Sequence, residues 1–149
     1  MEAIAAASSV AGLLGLAGSC LSAAQSLFKL YQDIRAASKT VEIFIKDING
    51  LIRTLHDVQG QLQTIERNSS LEFHDLHLTT LRLQLNDCNG DMQSWLATAE
   101  KYRPSTSSGG KKWFKKFWTA INEDSVKNVS TEIRARRSEI DSALAVLGR

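Results

Sequence analysis

Two histidines and two cysteines carry the most specific chemistry that this sequence could offer. His74 and His77 stand three residues apart, a spacing that places two imidazoles on one face of a helix, within reach of one metal ion. The surrounding sequence offers no third ligand at a matching spacing, and His74 also fits an apolar helical pattern. Cys20 and Cys88 fall on apolar patterns of their own. We therefore expect neither a metal nor a cofactor at these residues.

Catalytic motifs do not emerge from the sequence. A phosphate-binding loop needs a preceding strand and a fixed order of residues, and Gly109-Gly110 has neither. A nucleophile needs a base held beside it, and no spacing among the histidines and cysteines argues for such a pair. We predict that the protein is not an enzyme and that it has no catalytic residues.

An uncharged run near the N-terminus is more informative. No charged residue occurs from Ala3 to Phe28, and a helix of that length, at about 1.5 Å per residue, exceeds the ~30 Å hydrocarbon core of a bilayer. The run is nevertheless diluted by Ala, Gly and Ser. Its bulky residues follow one helical face, because their gaps are mostly three, four or sums of these. They include Val10, Leu13, Leu14, Leu21 and Phe28.

Small residues recur at every fourth position of the same run and form what we call the small ridge. Its members are Ala3, Ala7, Ala11, Gly15, Ser19 and Ala23. Such a ridge lets a second helix approach closely, which is how helices associate in lipid. It would equally let the first helix sit at the centre of a water-soluble bundle. We expect the packing role, and the sequence leaves the membrane role open beside it.

A secretory signal is the other interpretation of an uncharged N-terminus, and we reject it. The first residues carry Glu2 and no Lys or Arg, and the apolar part continues smoothly into an amphipathic helix. We therefore expect a cytoplasmic protein. In that compartment Cys20 and Cys88 are predicted to be reduced, buried thiols.

A second informative segment, residues 111–118, combines lysines with aromatic rings. We call it the basic aromatic segment. In a helix its rings lie on one face and most of its lysines on the other, an arrangement that suits the boundary between lipid headgroups and acyl chains. The residues that we assign to anionic lipid are Lys111, Lys112, Trp113, Lys115, Lys116 and Trp118. Alternatively, the rings cover one end of a bundle and the lysines are solvated. Stacking on nucleic-acid bases is a weaker alternative, and we predict no nucleic-acid partner.

The charge distribution agrees with a basic contact surface in this half of the chain. Residues 1–100 contain 7 Lys and Arg against 11 Asp and Glu, whereas residues 101–149 contain 11 against 5. A basic end of this kind is able to meet an anionic surface such as phospholipid or nucleic acid. A solvated face, the commoner outcome for scattered charges, is the alternative.

The apolar periodicity predicts an all-α fold, a helical bundle of four long helices and one short helix with the long N-terminal helix at its centre. We expect one domain over 1–149, with a flexible loop at 104–110. The expected helices cover 3–36, 41–65, 69–102, 112–122 and 125–147. The strand-like alternation at 81–85 gives way to the longer helical pattern around it.

Three polar or small positions interrupt these apolar patterns. Gly50 and Gly60 lie beside the apolar face of the second long helix, where a glycine admits a close neighbour. In the last helix Arg136 or Arg137 falls where an apolar residue is expected. We expect its guanidinium to reach water or a carboxylate.

Residues 1–65 resemble a known family. The segment Ala-Ser-Ser-Val-Ala-Gly-Leu-Leu-Gly-Leu-Ala-Gly-Ser at 7–19, followed by Leu-Phe-Lys-Leu-Tyr-Gln-Asp-Ile at 27–34, is similar to fungal HeLo-like domains. These domains stand at the N-terminus of fungal NLR-like (STAND) receptors. The resemblance implies a bundle akin to the four-helix domain of the necroptosis pseudokinase effector and to the coiled-coil domains of some plant resistance proteins.

The resemblance also implies a function in regulated cell death, of the kind seen in heterokaryon incompatibility and fungal innate immunity. Oligomerisation would release the first helix, which would permeabilise the plasma membrane, and residues 3–28 would be the working segment. The implied partners are anionic membrane lipids, further copies of the chain, and a nucleotide-binding module fused C-terminally. The alternative is a soluble helical adaptor that recruits partners through helix contacts and does not enter lipid.

Overall fold

The computed structural model describes residues 10–32, 39–67, 75–101 and 110–147, with their side chains except those of 75–77, 110–123 and 147. These ranges form four α-helices and contain no strand. The helices are α1 (Val10–Gln32), α2 (Lys39–Arg67), α3 (Asp75–Lys101) and α4 (Gly110–Leu147). The predicted all-α class is confirmed, and residues 81–85 are helical as expected.

The C-terminal part of the chain differs from its prediction. The expected short helix at 112–122 and the expected final helix at 125–147 are one continuous helix, α4. The polar residues at 122–125 cost an α-helix only about half a kcal/mol each, and no Gly or Pro interrupts the chain from 111 to 147. Gly110, predicted to lie in the loop, begins α4, and the rest of that loop lies outside the described residues.

Each helix buries one stripe of residues spaced alternately by three and four. On α2 this stripe consists of Val41, Phe44, Ile48, Leu51, Leu55, Val58 and Leu62. Such spacing places all of these side chains on one side of the helix, as in bundles whose helices pack nearly antiparallel. Ile45 and Ile65 are half-buried at the margin of this stripe and pack against the core.

The four helices pack in a ring, with α1 between α2 and α3, and α4 closing the ring on the opposite side. Within the described ranges each helix therefore has two principal neighbours. The central position predicted for the first helix is not confirmed, since α1 occupies one corner of the ring. One face of α1 packs into the core, and the opposite face is open to solvent.

Candidate functional site

The apolar residues predicted to anchor the first helix lie at the interface of α1 with α2 and α3. Leu13 and Leu21 are buried in the core. Val10, Leu14 and Phe28 are half-buried and pack against it. The apolar stripe read from the sequence is thus the stripe that seats α1 in the bundle.

The small ridge is divided between the two faces of α1. Ala23 is buried, but Ala11 and Gly15 are exposed. A Cβ atom added at Gly15 would meet no atom of another residue within 4 Å. The expected packing role of the ridge therefore does not hold at Gly15 in this bundle, while Ala3 and Ala7 lie outside the described residues.

The contact of α1 with α2 includes an aromatic pair near the C-terminal end of α1. The rings of Tyr31 and Phe44 have centroids 4.3 Å apart and planes tilted by 40°. Both side chains are buried, and burial raises the pKa of Tyr31 above its ordinary value because the phenolate would lose its hydration. This pair anchors the last turn of α1 on α2.

The contact of α1 with α3 is mostly apolar but includes neutral polar groups. Ser19 Oγ donates a hydrogen bond to Asn89 Oδ1 (3.2 Å), and Gln93 Nε2 donates to Ser19 Oγ (3.3 Å) and to the Ser19 carbonyl oxygen (3.5 Å). In the next positions, Cys20 and Cys88 face each other, both free and buried as predicted. The sequence placed Ser19 on the small ridge but gave no sign of its hydrogen bonds to α3.

The ion pairs, unlike the apolar contacts, are concentrated on α4. Among the described residues, five ion pairs are present, and each begins at an arginine of α4. Arg136 lies beside three carboxylates, with its Nε 2.8 Å from Asp91 Oδ2 and further contacts to Asp87 and Glu139. The hydrogen bond to Asp91 raises the pKa of Arg136. The contacts with Asp87 and Asp91 fix α4 to α3, whereas Glu139 lies on α4 itself.

Hydrogen bonds and an ion pair also tie α4 to α2. Asp47 accepts hydrogen bonds from Ser130 and from Arg134 Nε. About two turns further along α2, Thr54 Oγ1 donates a hydrogen bond to Asp141 Oδ1 (3.2 Å) and accepts one from Arg137 Nε (3.3 Å). The arginine that the sequence placed at an apolar position therefore reaches carboxylates, as predicted, and does so at both 136 and 137.

Gly50 provides the space that Arg137 needs. A Cβ atom at Gly50 would lie 2.5 Å from Arg137 Nη1 and 3.0 Å from Cζ, whereas one at Gly60 would meet nothing within 4 Å. Both glycines lie inside α2. The expected close neighbour of Gly50 is thus the Arg137 guanidinium, and Gly60 has none among the described residues.

Gly60→Ala should stabilise the bundle by about 0.5–1 kcal/mol, because alanine favours the helix. Gly50→Ala should stabilise the bundle by about 0.5–1.5 kcal/mol less than Gly60→Ala does, since the added methyl displaces Arg137 and breaks its hydrogen bond to Thr54. Urea unfolding of both variants measures the difference. In an Arg137→Ala background the two glycine substitutions should become equal. Equal gains in the wild-type background would show that the close contact carries no cost.

The basic aromatic segment forms the first turns of α4. The backbone from Gly110 onward is helical, so the spacing puts Trp113, Phe117 and Trp118 at positions on one broad face and Lys112 and Lys115 at positions on another. The first side chain of α4 that the structure describes as buried is Val126.

The predicted metal-binding histidines lie outside the described side chains. His74 precedes α3, and His77 lies in its first turn, where the structure describes the backbone alone. In the described part of the chain no group of three or more His, Cys, Asp and Glu side chains is placed to hold a metal ion.

The chain matches no protein-family model, no curated protein sequence and no solved structure.

Proposed function

We propose that the protein is a membrane-permeabilising execution domain of a fungal immune-type cell-death receptor. In this proposal the bundle is the resting, cytoplasmic form. Oligomerisation, driven by a C-terminally fused nucleotide-binding module, releases α1 to the plasma membrane. The proposal assigns no enzymatic step to the chain, and its partners are anionic lipids and further copies of itself.

The observation that carries the proposal is the character of α1. It is a 23-residue helix with mean hydropathy 1.4 in its most apolar part, long and apolar enough to cross a membrane, and 39% of that part is buried in the bundle. Core helices of water-soluble proteins also meet the criterion of length and apolarity, but they are mostly buried. Here one face of α1 packs into the core, and the other presents Ala11, Gly15 and other small residues to solvent.

The contacts of α1 also support its release. Among the described residues the ion pairs either join α4 to α2 and α3 or lie within α4, and none involves a residue of α1. The structure holds α1 by apolar packing, the ring of Tyr31 and the neutral hydrogen bonds at Ser19. Removing α1 therefore leaves the ties between the other three helices in place and strands no buried charge.

The basic aromatic segment supplies the attraction to the membrane in this proposal. Each lysine near an anionic leaflet adds about 1 kcal/mol, and the aromatic rings suit the headgroup region. The segment occupies the first turns of α4. A membrane-bound segment there would bring the bundle to the lipid before α1 leaves it.

The alternative function, a soluble helical adaptor, is favoured by a different surface. A groove of about 410 Å³ runs between α3 and α4, lined by Thr80, Gln84, Ser138, Glu139, Ser142, Ala143 and Val146. Leu83 and Val146 are exposed to 51% and 40%. An adaptor would bind a partner helix here and would leave vesicles intact.

Dye release from vesicles separates the two functions. At protein concentrations that crowd the chain on vesicles containing phosphatidylserine, where crowding takes the place of the fused module, the chain should release dye. On purely zwitterionic vesicles, which do not gather the chain, it should release much less. An adaptor would release dye from neither.

Replacing Lys111, Lys112, Lys115 and Lys116 with Gln should weaken binding to the anionic vesicles by roughly 100-fold or more, at about 1 kcal/mol per lysine. The melting temperature should change little, because the proposal leaves these lysines in solvent, where charges contribute little to folding. Co-sedimentation with vesicles measures the binding, and added salt should reproduce the loss in the wild type. A variant that melts early while keeping its vesicle affinity would make the lysines structural.

A further inference from the structure

Two thiols meet across the interface between α1 and α3. Cys20 Sγ and Cys88 Sγ lie 3.4 Å apart, and both side chains are fully buried and free. The two residues are 68 positions apart in sequence. Since the whole of α2 lies between them along the chain, a bond between these sulfurs would join two helices that are not consecutive.

We propose that Cys20 and Cys88 are a redox modification site, at which a reversible intramolecular disulfide fixes α1 to α3. The sulfurs need to come little more than about 1 Å closer to reach a bond length of about 2.05 Å. The hydrogen bonds from Gln93 to Ser19 hold the same turns of α1 and α3 together. The two thiols therefore return to the same partner after each local opening.

The oxidant in this proposal is a peroxide. A thiolate attacks one oxygen of hydrogen peroxide, which gives a sulfenic acid and releases hydroxide. The second thiol then attacks the sulfenic sulfur, the S–S bond forms, and the hydroxyl leaves as water. In total, two thiols lose two protons and two electrons, and one hydrogen peroxide becomes two waters. A dithiol reductant reverses the bond by thiol–disulfide exchange.

Burial sets the rate of this oxidation. The hydrogen bond with Cys88 and the loss of hydration raise the pKa of Cys20, so in the closed bundle Cys20 is protonated at neutral pH and reacts slowly. Peroxide reaches the site when the α1–α3 interface opens, and closure brings the second thiol onto the sulfenic acid. The product adds a covalent tie to α1, which takes part in none of the ion pairs described above.

The full chain treated with hydrogen peroxide tests the inference without any membrane. Thiol titration under denaturing conditions should fall from two per chain to none, and the intact monomer should lose about 2 Da, the two thiol hydrogens. The melting temperature should rise on the order of 10 °C, because the bond closes a long loop, and dithiothreitol should reverse the rise.

Single substitutions supply the controls. Peroxide should form no intramolecular bond in Cys20→Ala or Cys88→Ala and should leave their melting temperatures unchanged. Should either alanine variant fail to fold, Cys→Val at the same position fills the space instead.

Three results would overturn the inference. They are retention of both thiols in the wild type, a disulfide that joins two chains, and an oxidised monomer that melts at or below the reduced one. Because none of these measurements uses vesicles, they stand or fall independently of the proposed membrane function.

Discussion

Gly15→Leu should leave the bundle folded and abolish most of its dye release from anionic vesicles. In the bundle Gly15 is exposed and an added Cβ atom there meets nothing within 4 Å, so we expect leucine to fit at the surface and to stabilise α1 by up to about 1 kcal/mol. In the membrane, by contrast, our proposal places the small ridge between closely packed copies of α1, where leucine would hold the helices apart. A loss of about 1–2 kcal/mol per helix contact predicts a fall in release of roughly tenfold or more.

The opposite result is expected if apolarity alone drives insertion, since leucine makes α1 more apolar. Binding to vesicles, measured by co-sedimentation, should persist in Gly15→Leu while release falls, and Gly15→Ala should retain release. Gly60→Leu and Gly90→Leu are matched controls, because each is an exposed helical glycine with nothing within 4 Å of an added Cβ. Both should release dye like the wild type. A folded Gly15→Leu protein that also does so would remove the ridge from the mechanism.

Phe44→Ala should lower the free energy of unfolding by about 3–5 kcal/mol. Phe44 is 1% exposed and packs its ring against Tyr31, so truncation removes buried apolar surface, leaves a cavity and breaks the aromatic pair. Urea unfolding measures the loss, and the melting temperature should fall by roughly 10 °C. Under the proposed function the loosened α1 should also release dye at lower protein concentrations than the wild type.

The neighbouring residue provides a matched control. Ile43 is 49% exposed on the outer side of α2, and Ile43→Ala should change the free energy of unfolding by less than about 0.5 kcal/mol. Phe44→Leu should lose about 1–1.5 kcal/mol, since it keeps most of the volume and loses the ring contact. A Phe44→Ala protein as stable as Ile43→Ala would contradict the placement of this ring in the core.

The periodicity of the sequence predicted the helices because each buried stripe is set by residues near one another in the chain. Leu81, Leu85, Cys88, Met92 and Ala99 are buried on α3, and their gaps of three, four and seven residues place them on one face of the helix. The break that we expected between residues 122 and 125 falls among polar residues that are able to cap a helix, but α4 continues through them. Capping residues end a helix weakly when neither Gly nor Pro supports them.

The contacts between the helices could not be predicted from the sequence in the same way. A small ridge looks identical in sequence whether it faces a neighbouring helix or solvent, so the exposure of Gly15 could not be anticipated. Likewise Cys20 and Cys88 were both expected on apolar stripes, but their meeting depends on how far α1 is displaced along α3. That displacement is set by the summed fit of many side chains, and no single spacing in the chain encodes it.

The separation of ionic and apolar contacts in this bundle has a consequence for how it responds to cold and to ionic strength. The arginines of α4 add charge pairs to the apolar contacts that this helix makes with the core, and dissolved salt screens exposed charge pairs. The contacts of α1 with α2 and α3 are largely apolar. Apolar association weakens on cooling, but screening of charges by salt does not weaken it. Lowering the temperature should therefore loosen α1 before the remaining helices, whereas raising sodium chloride should loosen α4 first.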